Sequence, residues 1–198
     1  MLYLFCNPTI NRLFLAQALF WSCAVLCVLL ASLVGLQLAP IAELASLPLA
    51  LYVLGNLLAL QPLSRVMQRR GRRTGFLLGT CAGIVGGLGS AVALWLDNYV
   101  LFCLGAIPIG AYQASAMYYR FAALEAVDEA FKGRATAIVI GAGVAAAVLA
   151  PSLAALGRIL VAVPFAGAYL LVAAMAASAT LILATLPSGL AHTPGACC

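Results

Sequence analysis

The sequence predicts an all-α membrane protein with six transmembrane helices. Hydrophobic residues make up 66% of its 198 residues and charged residues only 8%, and the mean hydropathy is +1.14. Soluble globular chains carry about a quarter charged residues, so this composition indicates that the lipid bilayer is the solvent. Because about 20 apolar residues form a helix that crosses the roughly 30 Å hydrocarbon core, the length allows around six crossings. We expect one transmembrane domain, residues 1–198, with no separate soluble domain.

Six apolar runs are separated by short polar, basic or proline-containing segments. The predicted crossings cover about residues 13–38, 41–63, 75–96, 100–119, 135–156 and 164–186. Segments 64–74 and 120–134 hold most of the charges and are predicted to be cytoplasmic loops. Within the second loop, the mixed charges of Glu125–Arg134 are typical of a short solvated or interfacial helix.

The basic residues predict the orientation of the chain. Segment 65–73 contains five of the ten Lys and Arg residues, and cytoplasmic loops are enriched in these residue types. With a cytoplasmic amino terminus, only Arg158 lies outside, and the other nine lie inside: Arg12, Arg65, Arg69, Arg70, Arg72, Arg73, Arg120, Lys132 and Arg134. We therefore expect both termini in the cytoplasm and a bacterial inner membrane as the location.

Other classes of function find little support in the sequence. A nucleic-acid-binding protein would expose a basic face on a soluble fold. Cys23 and Cys27 share a helix face without a third ligand nearby, so packing is preferred over a metal site. An intramembrane enzyme needs a nucleophile, a base or a metal at membrane depth, and the only histidine is His192 in the tail. We expect no catalytic site, metal, cofactor or nucleic-acid partner.

Small residues recur at helical spacing in two of the predicted crossings. The third crossing has Gly75, Gly79, Gly83 and Gly86, and the fifth has Gly141, Ala142, Gly143, Ala145, Ala146, Ala147 and Ala150. Apolar surface alone does not drive helices together in lipid, so association depends on close backbone approach over small residues. Bundle packing is the simplest interpretation of both stripes. Pro151 removes a backbone donor and predicts a kink in the fifth crossing.

The basic segment resembles a motif of the major facilitator superfamily of transporters. That family carries the pattern Gly-x-x-x-Asp-Arg-x-Gly-Arg-Arg between its second and third helices. The segment Ser64–Arg73 aligns with this pattern, and Arg69, Gly71, Arg72 and Arg73 match it. Ser64 replaces the first glycine and Gln68 replaces the acid. The resemblance implies a gating loop whose acidic latch is altered.

Later segments are similar to the same family. Gly110–Ala116, Tyr119–Ala123 and Gly133–Ala135 resemble the fourth helix, the loop after it and the entry to the fifth helix. The fifth crossing resembles the antiporter pattern Gly-x-x-x-Gly-Pro-x-x-Gly-Gly, with alanine at each glycine position. The aligned residues are Ala146, Ala150, Pro151, Ala154 and Ala155. Alanine still permits close packing, so the resemblance implies a helix-five packing motif.

The resemblance implies both a fold and a function. Such transporters have two six-helix halves, each built of inverted three-helix repeats, and they hold a small solute near the membrane midplane for alternating access. This chain resembles the amino-terminal half. It therefore implies a second six-helix half or a homodimer as partner, and a truncated gene, a split pair and a dimerising subunit all stay open. The main alternative function is a non-transporting membrane subunit or a remnant of a transporter.

The family lines its cavity with the first and fourth helices, which nominates several polar side chains of this chain. The candidates on these two helices are Gln17, Ser22, Tyr112, Gln113, Ser115 and Tyr118, and Asn56 on the second helix is a lesser candidate. For Gln113, solute contact and a bond between helices are equal alternatives, and for the serines backbone bonding is favoured. No carboxylate lies near the middle of a predicted helix, so this half is not expected to supply proton coupling.

Overall fold

All regular elements that the structure describes are helices. The computed structural model describes residues 8–125, 127, 132–160, 163 and 165–186, without side chains at 8, 125, 135, 139, 145, 147–151, 154–155 and 158–160. The helices are α1 Pro8–Leu38, a 3-10 helix Ala42–Ser46, α2 Leu47–Arg70, α3 Arg72–Trp95, α4 Tyr99–Ala116, α5 Tyr119–Glu125, α6 Lys132–Leu160 and α7 Ala166–Ala184.

Five segments of the described residues are long and apolar enough to cross a membrane. They are Thr9–Leu38, Ala42–Arg70, Arg72–Trp95, Tyr99–Leu124 and Ala166–Ala184. Their number and length confirm a helical integral membrane protein. The fifth predicted crossing corresponds to α6, a helix of 29 residues that is not among these five. The count of six crossings stays a prediction.

The basic segment between the second and third crossings is mostly helical, although it was expected as a loop over 64–74. Helix α2 continues through Arg70, and α3 begins at Arg72. Arginine is a good helix former, so a basic run at a helix end need not interrupt the helix. The helices are separated only by Gly71, whose φ of 87° and ψ of 158° favour glycine. We call this junction the Gly71 corner.

The predicted second loop also contains regular structure. Helix α5 occupies 119–125 and α6 begins at Lys132. The expected interfacial helix at Glu125–Arg134 falls largely on positions 126 and 128–131, outside the described residues.

The helices pack so that α3 lies against α4 and α7, while α1 lies against α6 and α7. Helix α2 packs mainly on α4. Edge-to-face aromatic pairs join distant helices: the ring centroids of Phe76 and Tyr119 lie 4.8 Å apart, and those of Phe102 and Tyr169 lie 5.4 Å apart. Such pairs add to the burial of the rings themselves. The result is a bundle in which helices distant in sequence are neighbours.

Glycines allow the closest helix contacts. In the stripe of the third crossing, Gly79, Gly83 and Gly86 face α4, while Gly75 faces Met67 of α2. A Cβ at Gly83 would lie 2.7 Å from the Tyr112 ring, and one at Gly86 would lie 2.8 Å from the Gly105 carbonyl oxygen. Where α2 crosses α4, a Cβ at Gly55 would collide with the Ile107 carbonyl oxygen. The glycines of the third crossing therefore act in packing, as their spacing predicted. In the fifth crossing, a Cβ at Gly141 would meet no described atom within 4 Å.

Candidate functional site

The arginine-rich end of the bundle comprises Arg12, Arg65, Arg69, Arg70, Arg72, Arg73 and Arg120. Arg65, Arg69 and Arg70 are exposed on the last turns of α2. Gln68, at the position of the family's acid, is also exposed, and its Nε2 lies 3.5 Å from the Ser64 hydroxyl of the same helix. Segment 64–73 therefore presents positive charge and contains no carboxylate.

Arg73 behaves differently from the exposed arginines of α2. Its guanidinium is half-buried, and Nη2 donates a hydrogen bond to the Ala184 carbonyl oxygen at the end of α7. Arg12 at the start of α1 donates from Nη1 to the next carbonyl oxygen, that of Thr185, at 2.8 Å. Sequence reasoning missed this convergence. The sequence gives only a weak signal for these contacts. Cations commonly bind helix carboxyl ends, but the sequence does not show which helix end a given arginine binds.

Three carboxamide side chains of the candidate cavity carry oxygen atoms that lack a described hydrogen-bond partner. These are Gln17 on α1, Asn56 on α2 and Gln113 on α4, and in each case the oxygen is enclosed by protein. Gln17 is buried, with 9% of its surface exposed, while Asn56 and Gln113 are half-buried. Each enclosed acceptor costs free energy unless a donor reaches it.

Asn56 and Gln113 lie close to the same helix crossing. A Cβ at Gly110 would approach the Asn56 backbone nitrogen to 2.7 Å, and Gln113 follows Gly110 by three residues on α4. Residues three apart lie on one side of a helix. The α2–α4 crossing therefore brings two of the three carboxamides into one region of the bundle.

The tyrosine and serine candidates are engaged within the bundle. The Tyr112 ring is only 1% exposed and meets Phe20 edge to face at 5.4 Å, while its enclosed hydroxyl lacks a described hydrogen-bond partner. The Ser115 hydroxyl donates to the Tyr112 carbonyl oxygen at 2.8 Å, and the Ser22 hydroxyl donates to the Ala18 carbonyl oxygen at 3.0 Å. Both serines thus make the backbone bonds that were the favoured alternative.

The remaining candidates lie near the arginine-rich end or in α6. The Tyr118 hydroxyl donates to the Leu60 carbonyl oxygen at 3.4 Å, joining α4 to α2. The Arg120 guanidinium is exposed and lies 5.1 Å from the Phe121 ring centre, a cation–π contact. In α6, Ala146 is fully buried. The side chains of the other packing-motif residues, Ala150, Pro151, Ala154 and Ala155, lie outside the described ones.

Three further polar side chains were missed by the sequence reasoning. Tyr119, Thr136 and Ser90 each have an enclosed oxygen without a described partner. Tyr119 and Thr136 lie at the edges of the predicted crossings 100–119 and 135–156. Ser90 borders a small cavity together with Tyr52, Tyr169 and Cys27. Burial of such positions depends on helix packing, which the local pattern does not reveal.

Comparison with known proteins gives the context for this geometry. No protein-family model matches the sequence. The riboflavin transporter RfnT of Brucella anthropi is 34% identical over 139 residues, which are 70% of this chain and 35% of that protein. The uncharacterized MFS-type transporters YdeG and YddS of Bacillus subtilis are 31% and 27% identical over 55% and 56% of this chain.

These matches span a quarter to about a third of the relatives' own lengths. The relatives are named as transporters rather than enzymes. Together with the apolar helical bundle and the motif at the Gly71 corner, the matches show that this integral membrane protein is a relative of the transporters of the major facilitator superfamily.

Proposed function

We propose that this chain forms one half of a transport pathway that moves a small solute across the membrane by alternating access. A second six-helix half or a second copy of the chain completes the pathway. The matched segments span 35%, 25% and 26% of the three relatives' lengths, so the whole pathway of such a transporter extends beyond the part that this chain resembles. The surface of α2 supports it too, because only 17% of its apolar window is buried, against 50% to 56% in the other four spans.

The helix contacts support an inverted repeat within the chain. The six proposed crossings are α1, α2, α3, α4, α6 and α7, and the repeat exchanges the first three with the last three in order. The exchange pairs α1 with α4, α2 with α6 and α3 with α7. It therefore converts the α2–α4 contact into α1–α6, the α3–α4 contact into α1–α7, and the α2–α3 contact into α6–α7. All six of these contacts occur. The α3–α7 contact converts into itself. A two-fold axis in the membrane plane is the arrangement expected of transporter repeats.

The three unpartnered carboxamides are the observation that carries the proposed site. They lie on α1, α2 and α4, and the enclosed Tyr112 hydroxyl of α4 likewise lacks a described partner. Polar groups in a membrane interior are costly and tend to mark solute pathways. A solute that offers N–H or O–H donors would satisfy the carboxamide oxygens of Gln17, Asn56 and Gln113.

Riboflavin is the first solute to test. It is uncharged and carries several hydroxyl groups and an imide N–H, which suit carboxamide oxygens. The name of the Brucella anthropi relative points to the same compound. The described spans contain a single acidic residue, Glu43, and it is exposed in the 3-10 helix, so a cationic solute has no described partner at mid-membrane depth.

The orientation of the chain is part of the proposal. Nine of the ten basic residues lie on one side of the proposed six crossings, and this side is proposed to be cytoplasmic, with both termini. The relatives come from bacteria, which supports the bacterial inner membrane as the location.

Uptake into proteoliposomes tests the proposed function. The chain is reconstituted alone and together with its coexpressed partner half, and entry of labelled riboflavin is measured. Asn56→Ala and Gln113→Ala each remove one hydrogen bond and should lower uptake about three- to tenfold. Gln61→Ala is the matched control, because Gln61 is an exposed amide on α2 and should not affect uptake.

The alternative is a non-transporting membrane subunit or a remnant. The replacement of the family's acid by Gln68 favours this function, since an amide cannot form the charged latch. A well-folded chain that moves no solute, alone or with either partner, would support the alternative. Uptake that is unaffected by the carboxamide changes would instead reject the proposed site.

A further inference from the structure

The carboxyl end of α7 is held by side chains from two other helices. Arg73 of α3 donates to the Ala184 carbonyl oxygen, and Arg12 of α1 donates to the Thr185 carbonyl oxygen at 2.8 Å. The two donors lie 111 and 173 residues away in sequence from their acceptors. Two guanidinium groups from different helices thus converge on consecutive carbonyls.

The helix end explains why cations bind here. The last four carbonyl groups of an α-helix lack intrahelical partners, and they carry the negative end of the helix dipole. In α7 the Thr185 hydroxyl donates to the Ile182 carbonyl oxygen at 2.6 Å. Arg73 and Arg12 then supply charged donors to two further carbonyls, and hydrogen bonds with a charged partner are the stronger kind.

The same end of the bundle contains arginines that do not share this arrangement. Arg65, Arg69 and Arg70 are exposed on α2, whereas Arg73 is half-buried beyond the Gly71 corner. Directly after the two acceptor carbonyls, Leu186 is buried, with 2% of its surface exposed. The arginines therefore fasten a segment that also inserts an apolar side chain into the bundle.

We propose that Arg12 and Arg73 are a pair of positioning residues that fasten the carboxyl end of α7 to the starts of α1 and α3. The arginines of the basic motif therefore have two roles. Arg73 bonds the end of α7 within the chain, while Arg69 is exposed on the surface. Fastening keeps three helix ends together at the arginine-rich end. The effect on transport rests on the proposed function, but the fastening itself does not.

Cysteine labelling at position 186 tests the pair without any transport measurement. In a chain whose seven native cysteines are replaced by serine, Leu186→Cys should react slowly with a water-soluble maleimide. Arg12→Gln and Arg73→Gln should each speed labelling about tenfold or more by releasing one charged hydrogen bond. The double variant should react faster than either single variant. Arg69→Gln is the matched control and should leave the rate unchanged.

A second readout separates positioning from general loss of structure. Arg73→Lys keeps a charged donor and should restore slow labelling in part, which a nonspecifically loosened bundle would not show. In a chain that transports solute, Arg73→Gln should lower the maximal rate and leave KM unchanged, because Arg73 bonds the Ala184 carbonyl oxygen and none of the three carboxamides.

Two results would overturn the proposal. One is an unchanged labelling rate in the double variant, and the other is an equal acceleration by Arg69→Gln. If the double variant does not fold, the single variants and Arg73→Lys decide the question by the same rates. Absence of riboflavin uptake in the wild-type chain would count against the proposed function and leave the labelling result intact.

Discussion

Serines and carboxamides of the candidate cavity differ in what their side chains can reach. A serine hydroxyl is short enough to donate to the carbonyl one turn earlier, as Ser22 and Ser115 do. A longer carboxamide extends away from its own backbone, so Gln17 and Gln113 keep an enclosed oxygen without a described partner. Side-chain length therefore separates the two serines, which are satisfied locally, from the two glutamines.

Asn98 provides a residue-scale prediction about the start of α4. Its Oδ1 accepts a hydrogen bond from the Leu101 backbone N–H at 3.0 Å, which satisfies one of the free amides at the helix start. Asn98→Ala should lower the free energy of unfolding by about 1 kcal/mol. Thermal unfolding in detergent measures the change, and Asn98→Asp, which keeps the acceptor, is the control. Equal stability of the alanine variant and the wild type would contradict the capping role.

At the scale of elements, apolar runs predicted where helices can cross the membrane. A crossing helix needs about 20 apolar residues, and a run of that length is easily recognised in the sequence. The same patterns did not predict the helical continuation to Arg70, since basic residues at a helix end look like a loop when only hydropathy is considered. They also did not predict the Arg12 and Arg73 contacts with α7, which join residues far apart in sequence. Local periodicity carries no information about such long-range pairing.

The glycine stripe of α3 gives a prediction at the same scale. Gly83→Leu places a side chain where a Cβ would already lie 2.7 Å from Tyr112, so α3 and α4 must separate. Overpacking of this kind should cost about 1–3 kcal/mol of stability. Gly89→Leu is the matched control on the same helix, because no atom lies within 4 Å of a Cβ there. A similar loss of stability in both variants, measured by thermal unfolding, would argue against close α3–α4 packing.

For the whole molecule, the proposed orientation depends on the side where most Lys and Arg residues lie, and it requires an even number of crossings between the termini. The arginine-rich end gathers the start of α1, the junction of α2 and α3, and the end of α7. The Asp97–Asn98 turn between α3 and α4 lies at the opposite end of α3 from Gly71. These positions suit a chain that alternates direction through the bilayer.

Side-specific labelling checks the orientation. With the native cysteines replaced, Arg70→Cys should react with an impermeant maleimide only after the cytoplasmic side is opened. Asp97→Cys should react in intact cells. Arg70 and Asp97 are both exposed, and they flank α3 at its opposite ends. Reaction of both positions from one side would rule out the proposed topology. Arg65→Cys serves as a second reporter of the first side.

The Gly71 corner has a further consequence for how this chain can vary. One residue joins α2 to α3, so neither helix can turn about its own axis independently of the other. Inserting or deleting a single residue in the first turn of α3 would rotate its remaining length by about 100° and direct Gly79, Gly83 and Gly86 away from α4. We therefore expect insertions and deletions to be excluded at the Gly71 corner, even where substitutions are tolerated.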